Sequence, residues 1–329
     1  MRVLVHAPGP ARHGVVRHAA AVAARATRHG VEPVTAGEPV TAGPADLAHA
    51  QFTDALYGPD IDSAATAFEA WARTAPRPLV VTLHDLPGTD PDPARDARRR
   101  RGYARVAACA DAVVVASAHE AAAVAGCVAA DCVAADCVVI PLPLERLPAG
   151  APAPDWAGTP SLGVLGFVYP GKGHAAAIDA AARRADRPLV VAAGAVAPGH
   201  DDLHARLRER AAAGGVRFLV TGSLSDAGLA AAAAAVTVPL APALRVSASG
   251  SLATWLGCGR RPAAARGAYT AEVAARHPGA VDLYDDDAGL DALVDRGLAD
   301  PSSTRRSPGV PEPDVGALHA GLYRGLLGC

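Results

Sequence analysis

Four short stretches combine residue types that could handle an anion or a sugar. The first is LGVLGFVYPGKGHAAAIDAAA, Leu162 to Ala182, where an apolar run meets a glycine-rich turn and then an alanine-rich helical pattern. Leu162 to Phe167 reads as a strand, Tyr169-Pro170-Gly171 as the turn, and the helix starts near Gly173. Glycines such as Gly171 and Gly173 let backbone approach a ligand, a helix start offers unpaired N–H donors, and Lys172 adds a mobile positive charge. Those are the requirements for holding a phosphate or diphosphate. The order GxxxxGK[ST] is absent, so this is no Walker loop. A tight turn with a solvated lysine would read the same way.

The second stretch, HAPGPARHGVVRHAAAVAARA, carries Gly9 and Gly14 ahead of a helix, with His13, Arg17 and His18 beside them. Backbone at Gly14 could lie against a sugar or phosphate. The dinucleotide fingerprint GxGxxG with a following acid is missing, and no nicotinamide cofactor is expected. The third, VVTLHDLPG, puts His84 and Asp85 directly after a strand, where an imidazole can donate a hydrogen bond or orient a hydroxyl. A structural hydrogen-bonding role is the plain alternative. His49, in DLAHAQFTDALYG, is a second strand-end candidate. The fourth, VSASGSLATWLGCGRRPAAA, sets Ser247, Ser249, Gly250 and Ser251 before a short helix, either as donors to an anion or as an ordinary N-cap.

Elements that could position these groups alternate along the chain as short apolar runs and longer helical patterns, which predicts parallel sheets with crossover helices. Candidate strands are Arg2 to His6, Leu79 to Leu83 and Ala112 to Ala116, then Ser161 to Phe167, Leu189 to Ala193, Arg217 to Thr221 and Val236 to Leu240. Proline-rich Pro141 to Pro160 separates the halves. The expected organisation is a first domain over 1–143, a linker over 144–160, a second domain over 161–311 and a last helix within 312–329. Ligands of such sheets lie beyond the strands' carboxyl ends, and two such domains are expected to face each other across a cleft.

The chain has 329 residues, half of them apolar, 4% aromatic, with a formal net charge of −2. That length suits two cores. Near-zero charge argues against a nucleic acid partner held by bulk phosphate attraction. No apolar run approaches the ~20 residues of a membrane span, and Met1 to Val5 reads as a strand instead of a leader, so a cytoplasmic location is expected. The basic run RDARRRRGYAR, Arg95 to Arg105, could touch an anionic membrane surface or simply be a solvated helix face. Cys127, Cys132 and Cys137 recur through a tandem VAADC pentad, not at zinc spacing, and no metal site is expected.

In this order the motifs HGVVRHAAAVA, VVTLHDLPG, DAVVVASAHEAAAV, VVIPLPL, LGVLGFVYPGKGH, VTGSLSDAGL and SASGSLATWLGCGRRP resemble the GT-B glycosyltransferases, in particular the retaining family 4 enzymes. The resemblance implies two Rossmann-like doubly wound domains. The second would hold a nucleoside diphosphate sugar as co-substrate, the first a small-molecule or lipid-linked acceptor, without a metal or other cofactor. It places Gly14 at the glycine loop against the donor, His84 over the transferred sugar, Lys172 on the diphosphate, and Gly222, Ser223 and Leu224 beside the base. His13, Arg17, His49 and Asp85 become acceptor-side candidates. The last helix would cross back to the first domain.

Departures from the pattern are specific. Phe167 stands where the family's first diphosphate arginine belongs, and Val246 and Thr254 stand where it has two glutamates. Hydroxyl and backbone donors at Ser249, Gly250 and Ser251, with Thr254 beside them, could substitute, and Arg245 could restore the charge. The expected activity is retaining transfer of a sugar, hexosyltransferase-like, to an acceptor hydroxyl. A nucleotide-sugar epimerase or hydrolase, or a catalytically silent nucleotide-sugar-binding partner protein, would keep the same fold.

Overall fold

A computed structural model describes residues 1–11, 13–35, 45–88, 92–127, 136–307 and 312–329. Cys132 lies outside them. The chain divides into two compact units, Met1–Pro143 with Glu312–Cys329, and Leu144–Pro311. Residues 144–160, expected as a linker, group with the second unit, where Trp156 packs against a core that includes Leu165, Val191 and Trp255.

In the first unit six strands form one parallel sheet: β1 (Arg2–His6), β2 (Glu32–Thr35), β3 (Leu47–Phe52), β4 (Leu79–Leu83), β5 (Ala112–Val115) and β6 (Asp136–Val139), in the order β2-β1-β3-β4-β5-β6. β3, β4 and β5 are buried along their whole length. Such burial follows from helices covering both faces, which removes the apolar-polar alternation of a half-exposed strand. One face packs Phe52, Phe68, Val81 and Tyr103, and the other packs Val3, Val80 and Val114 against Val315, Ala320 and Tyr323 of the last helix, Val315–Leu327.

The second unit repeats the plan with β7 (Ser161–Leu165), β8 (Leu189–Ala193), β9 (Phe218–Val220), β10 (Val238–Ala241), β11 (Ala263–Ala265) and β12 (Asp282–Tyr284), all parallel in the order β12-β11-β10-β7-β8-β9. Numbered from its own first strand this is the 3-2-1-4-5-6 order of a Rossmann sheet. The helix His174–Ala182 buries Ala177, Ile178, Ala180 and Ala181. Alanines there bring helix and sheet close, which accounts for the excess of small residues.

In each sheet the chain reverses its direction of winding beside the first strand. The reversal lies between β1 and β3 in the first unit and between β7 and β10 in the second. There the loops leaving two adjacent strands diverge to opposite faces and leave a crevice at the strands' carboxyl ends. The Gly14 loop follows β1 and the Lys172 and Ser249–Ser251 motifs follow β7 and β10, at these two places, while His84 follows β4 and Gly222 follows the edge strand β9.

Several strands differ from expectation. β2, β6, β11 and β12 are not among the candidate strands, since EPVT contains a proline and AAA has no β-branched residue, and β3, where LAHAQF carries polar His49 and Gln51, enters the sequence reading only as a strand ending near His49. Among the described residues no helix is long and apolar enough to cross a membrane. The basic run lies on the helix Pro93–Ala107, where Arg99 pairs with Asp54, Arg100 with Asp96 and Arg105 with Glu69.

Candidate active site

In the second unit the site is built where β7 and β10 diverge. After β7, Gly166 turns at φ 98° and Gly171 at 85°. Gly173 then caps the helix His174–Ala182 at φ 90°, without a side-chain hydrogen bond to the helix start. A Cβ at Gly173 would sit 2.6–2.8 Å from Pro242, in the loop leaving β10. Glycine is therefore required twice, for its left-handed backbone and for the close approach of the two loops.

Lys172 lies inside this crossing. Its Nζ donates to Ser251 Oγ at 2.8 Å, and its side chain lies against Gly166. Ser249 Oγ, 3.2 Å from Ser251 Oγ, caps the helix Gly250–Gly257 by accepting from Leu252 N–H at 3.2 Å. Lys172, Ser249, Ser251, Val246, Pro242 and Thr270 line one pocket. Among the described residues no carboxylate pairs with Lys172. Burial pulls its ammonium down to about 8, as expected for a charge removed from water without a counter-charge. A Cβ at Gly250 would meet nothing within 4 Å, so backbone there borders open space. The pocket therefore joins one ammonium, two hydroxyls and two helix starts, which is a donor set for an anion.

The other second-unit candidates lie apart from that pocket lining. Thr254 is buried and turns back to donate to Gly250 O at 2.9 Å, as a helix residue without a glutamate's reach would. Arg245 is exposed, outside the pocket lining and without an ion-pair partner among the described residues. Gly222, at φ 74°, Ser223 and Leu224 follow β9 at the sheet edge, and a Cβ at Gly222 would meet nothing within 4 Å. Phe167 is 42% exposed where an arginine was the family expectation. Thr270 was missed by sequence reasoning. Its hydroxyl donates to Ala265 O and accepts from Gly267 N–H, and no motif marked it.

In the first unit His84 leaves β4 with its N–H bonded to Phe52 O at 2.8 Å and its carbonyl held by Tyr103 Oη at 2.7 Å. Its Nε2 bonds Gln51 Oε1 at 2.8 Å, and the edge of one ring meets the face of the other between His18 and His84, centroids 5.0 Å apart. Burial lowers the His84 pKa to about 4, Asp85 opposing and His13 reinforcing the shift. The ring is neutral at pH 7. Asp85 adopts φ 51°, unusual for a residue with a Cβ, with its carboxylate accepting from Thr53 Oγ1 at 2.9 Å and its carbonyl from Arg99 Nη2 at 2.7 Å. The end of β3 and the helix Pro93–Ala107 thus fix this turn.

His13 caps the helix Gly14–Ala26, its Nδ1 accepting from Val15 N–H at 3.3 Å, and Arg17 lies in the first turn, its N–H bonded to His13 O at 2.9 Å. A Cβ at Gly14 would meet nothing within 4 Å. His49 corrects the sequence reading. It sits within β3 instead of at its end, 1% exposed, bonded to Tyr323, Thr82 and Gln51. The strand runs on to Phe52, so this imidazole belongs to the interior and not to an acceptor surface.

No protein-family model matches the sequence, and no curated protein matches it significantly. Solved structures do resemble it. A sucrose-phosphate synthase from Thermosynechococcus elongatus superposes with a TM-score of 0.73 at 15% identity, over 99% of each chain. Anabaena HepE, solved in complex with UDP and glucose, gives 0.67 at 16% identity over 99% of this chain and 95% of that one. An α,α-trehalose-phosphate synthase (UDP-forming) from Burkholderia xenovorans, in complex with glucose-6-phosphate, gives 0.64 at 11% identity over 85% and 72%.

Proposed function

The chain has the GT-B fold, and on that premise we propose that it is a glycosyltransferase. It would move a sugar from a nucleoside diphosphate donor to the hydroxyl of a small-molecule or lipid-linked acceptor, with retention in the manner of family 4. The observation that carries this reading is Lys172, an ammonium without a carboxylate partner among the described residues, held against Ser251 where β7 and β10 diverge. A partly buried charge without a counter-ion carries a desolvation cost, and a bound diphosphate offsets it.

Two of the solved neighbours support the substrate class, since HepE was solved both with UDP and glucose and with UDP-glucose, and the trehalose-phosphate synthase is described as UDP-forming. In departure of the diphosphate, negative charge grows on the leaving oxygen, and fixed donors lower the barrier most where charge develops. Lys172, Ser249, Ser251 and the N–H groups at Gly173 and Gly250 are the donors available. Hydroxyls and an ammonium suit an anion and not a divalent cation, which supports a mechanism that routes no step through a metal. Neutral His84 and the backbone at Gly14 would order sugar and acceptor hydroxyls in the first unit.

A specific observation favours a second reading. Val246 and Thr254 offer no carboxylate to a sugar, and Thr254 is bonded to its own helix. A silent protein that binds a nucleotide sugar would look this way. A thermal-shift screen of UDP, GDP, ADP and TDP sugars, followed by transfer assays with the sugar that raises the melting point most, separates the readings. Transfer to an acceptor supports the enzyme. Binding without transfer across a broad acceptor panel supports the silent protein, and consumption of donor without acceptor supports an epimerase or hydrolase.

A further inference from the structure

His84 is the outer end of a buried polar chain that runs from β4 through β3 to the last helix. Gln51 Oε1 bonds His84 Nε2 at 2.8 Å, and Gln51 Nε2 bonds His49 Nε2 at 3.1 Å. Thr82 Oγ1 also reaches His49 Nε2, at 2.7 Å, and His49 Nδ1 meets the Tyr323 hydroxyl at 2.6 Å. Gln51 is 0% exposed and His49 1%. Nothing in the sequence marked Gln51, which follows His49 by two and therefore shares its face of β3.

A carboxamide has fixed polarity, because its oxygen only accepts and its nitrogen only donates. With Oε1 toward His84, the proton of the neutral ring must sit on Nε2. With Nε2 toward His49, that ring accepts there from both the Gln51 N–H and the nearer Thr82 O–H, and carries its own proton on Nδ1, directed at Tyr323. His84 Nδ1 has no hydrogen-bond partner among the described residues. A neutral imidazole whose Nε2–H is engaged can offer only a lone pair at the other nitrogen.

We propose that Gln51 is a positioning residue that locks His84 in the Nε2–H tautomer, so that His84 meets its substrate through the bare Nδ1 lone pair. The group that His84 contacts is then a hydrogen-bond donor, a sugar hydroxyl, and not a carboxylate or phosphate oxygen. The substrate half of this statement rests on the transferase reading above. The tautomer half does not.

The test uses the full chain labelled with ¹⁵N-histidine and needs no substrate. Two-bond proton–nitrogen correlations at pH 7, with the His84 signals assigned by their loss in His84→Gln, show which nitrogen holds the proton. The expected result is Nε2–H with a bare Nδ1, and a proton on Nδ1 overturns the proposal. Gln51→Met removes the acceptor, and the His84 signals should then report a mixture of tautomers. A variant that keeps pure Nε2–H shows that Gln51 does not set the tautomer. Gln51→Glu, of equal length, keeps an acceptor facing His84 should the methionine variant fail to fold. Its Nε2 stays protonated, and a bare Nε2 there overturns the proposal. Adding the nucleotide sugar that most stabilises the chain should move the Nδ1 resonance, and no movement while transfer proceeds overturns the contact. Absence of all transfer would sink the enzyme reading and leave the tautomer result standing.

Discussion

Lys172 Nζ and Ser251 Oγ, 79 residues apart in sequence, lie 2.8 Å apart across the β7–β10 crossing. A hydroxyl is a neutral partner, so the pair positions the ammonium without neutralising it. Both side chains line one pocket, and the ammonium, which also lies 5.7 Å from the centroid of the Tyr169 ring, has no carboxylate partner among the described residues. Such a site is pre-organised for an anion, since the donors are already in place before the ligand arrives.

Titration of Lys172 should set the alkaline limit of diphosphate binding. Burial holds its pKa at about 8, below the value of about 10.4 for an unperturbed lysine. The charged form, which binds the anion, dominates below pH 8 and is lost above it. Affinity for UDP should fall about twofold between pH 7 and pH 8 and then approach a tenfold loss per pH unit, down to the level of Lys172→Met. The same shift makes the fold gain stability between about pH 8 and 10.4, because there the unfolded chain binds the proton that the folded chain has released. Calorimetric titration across this range, with Lys172→Met as the pH-insensitive control, checks the first statement, and denaturant melts check the second.

Gly14→Ala should separate folding from ligand binding. A Cβ there meets nothing within 4 Å, and alanine is the better helix former of the two. The melting temperature should stay level or rise. If sugar or phosphate lies against this backbone, the added methyl occupies its place, and kcat/KM should fall by about tenfold or more. Equal kcat/KM in the variant would show that no ligand approaches Gly14.

Gly173→Ala should do the opposite, damaging the fold first. Its φ of 90° disfavours any Cβ, and Pro242 stands 2.6–2.8 Å from where that Cβ would lie. Strain of this kind costs about 1–3 kcal/mol, and the loop crossing that holds Lys172 would shift with it. Urea unfolding of the variant should show a lower midpoint at unchanged slope.

Much of the architecture was legible because buried parallel strands leave continuous β-branched runs. VVT in β4 and LVV in β8 could hardly be anything else. The turn after β7 was legible too, since strand, glycines, lysine and alanine helix occur in unbroken succession. Where tertiary burial overrides local pattern the sequence is silent. β3 reads as polar because His49 and Gln51 are satisfied by Thr82, Tyr323 and His84, partners up to 274 residues away. For the same reason His49 reads from sequence as a strand-end, acceptor-side candidate and Gln51 carries no signal at all. Thr270 lines the pocket through a fold contact that no spacing rule encodes.

The Lys172 anion site is tested most directly by calorimetric titration of UDP into the wild-type chain and Lys172→Met at pH 7. A charge-assisted hydrogen bond contributes about 1.5–3 kcal/mol, so the variant should bind about ten- to a hundredfold more weakly. Its melting temperature without ligand should not fall, because the substitution removes a partly buried charge that lacks a counter-ion. Equal affinity in the two proteins would contradict the account.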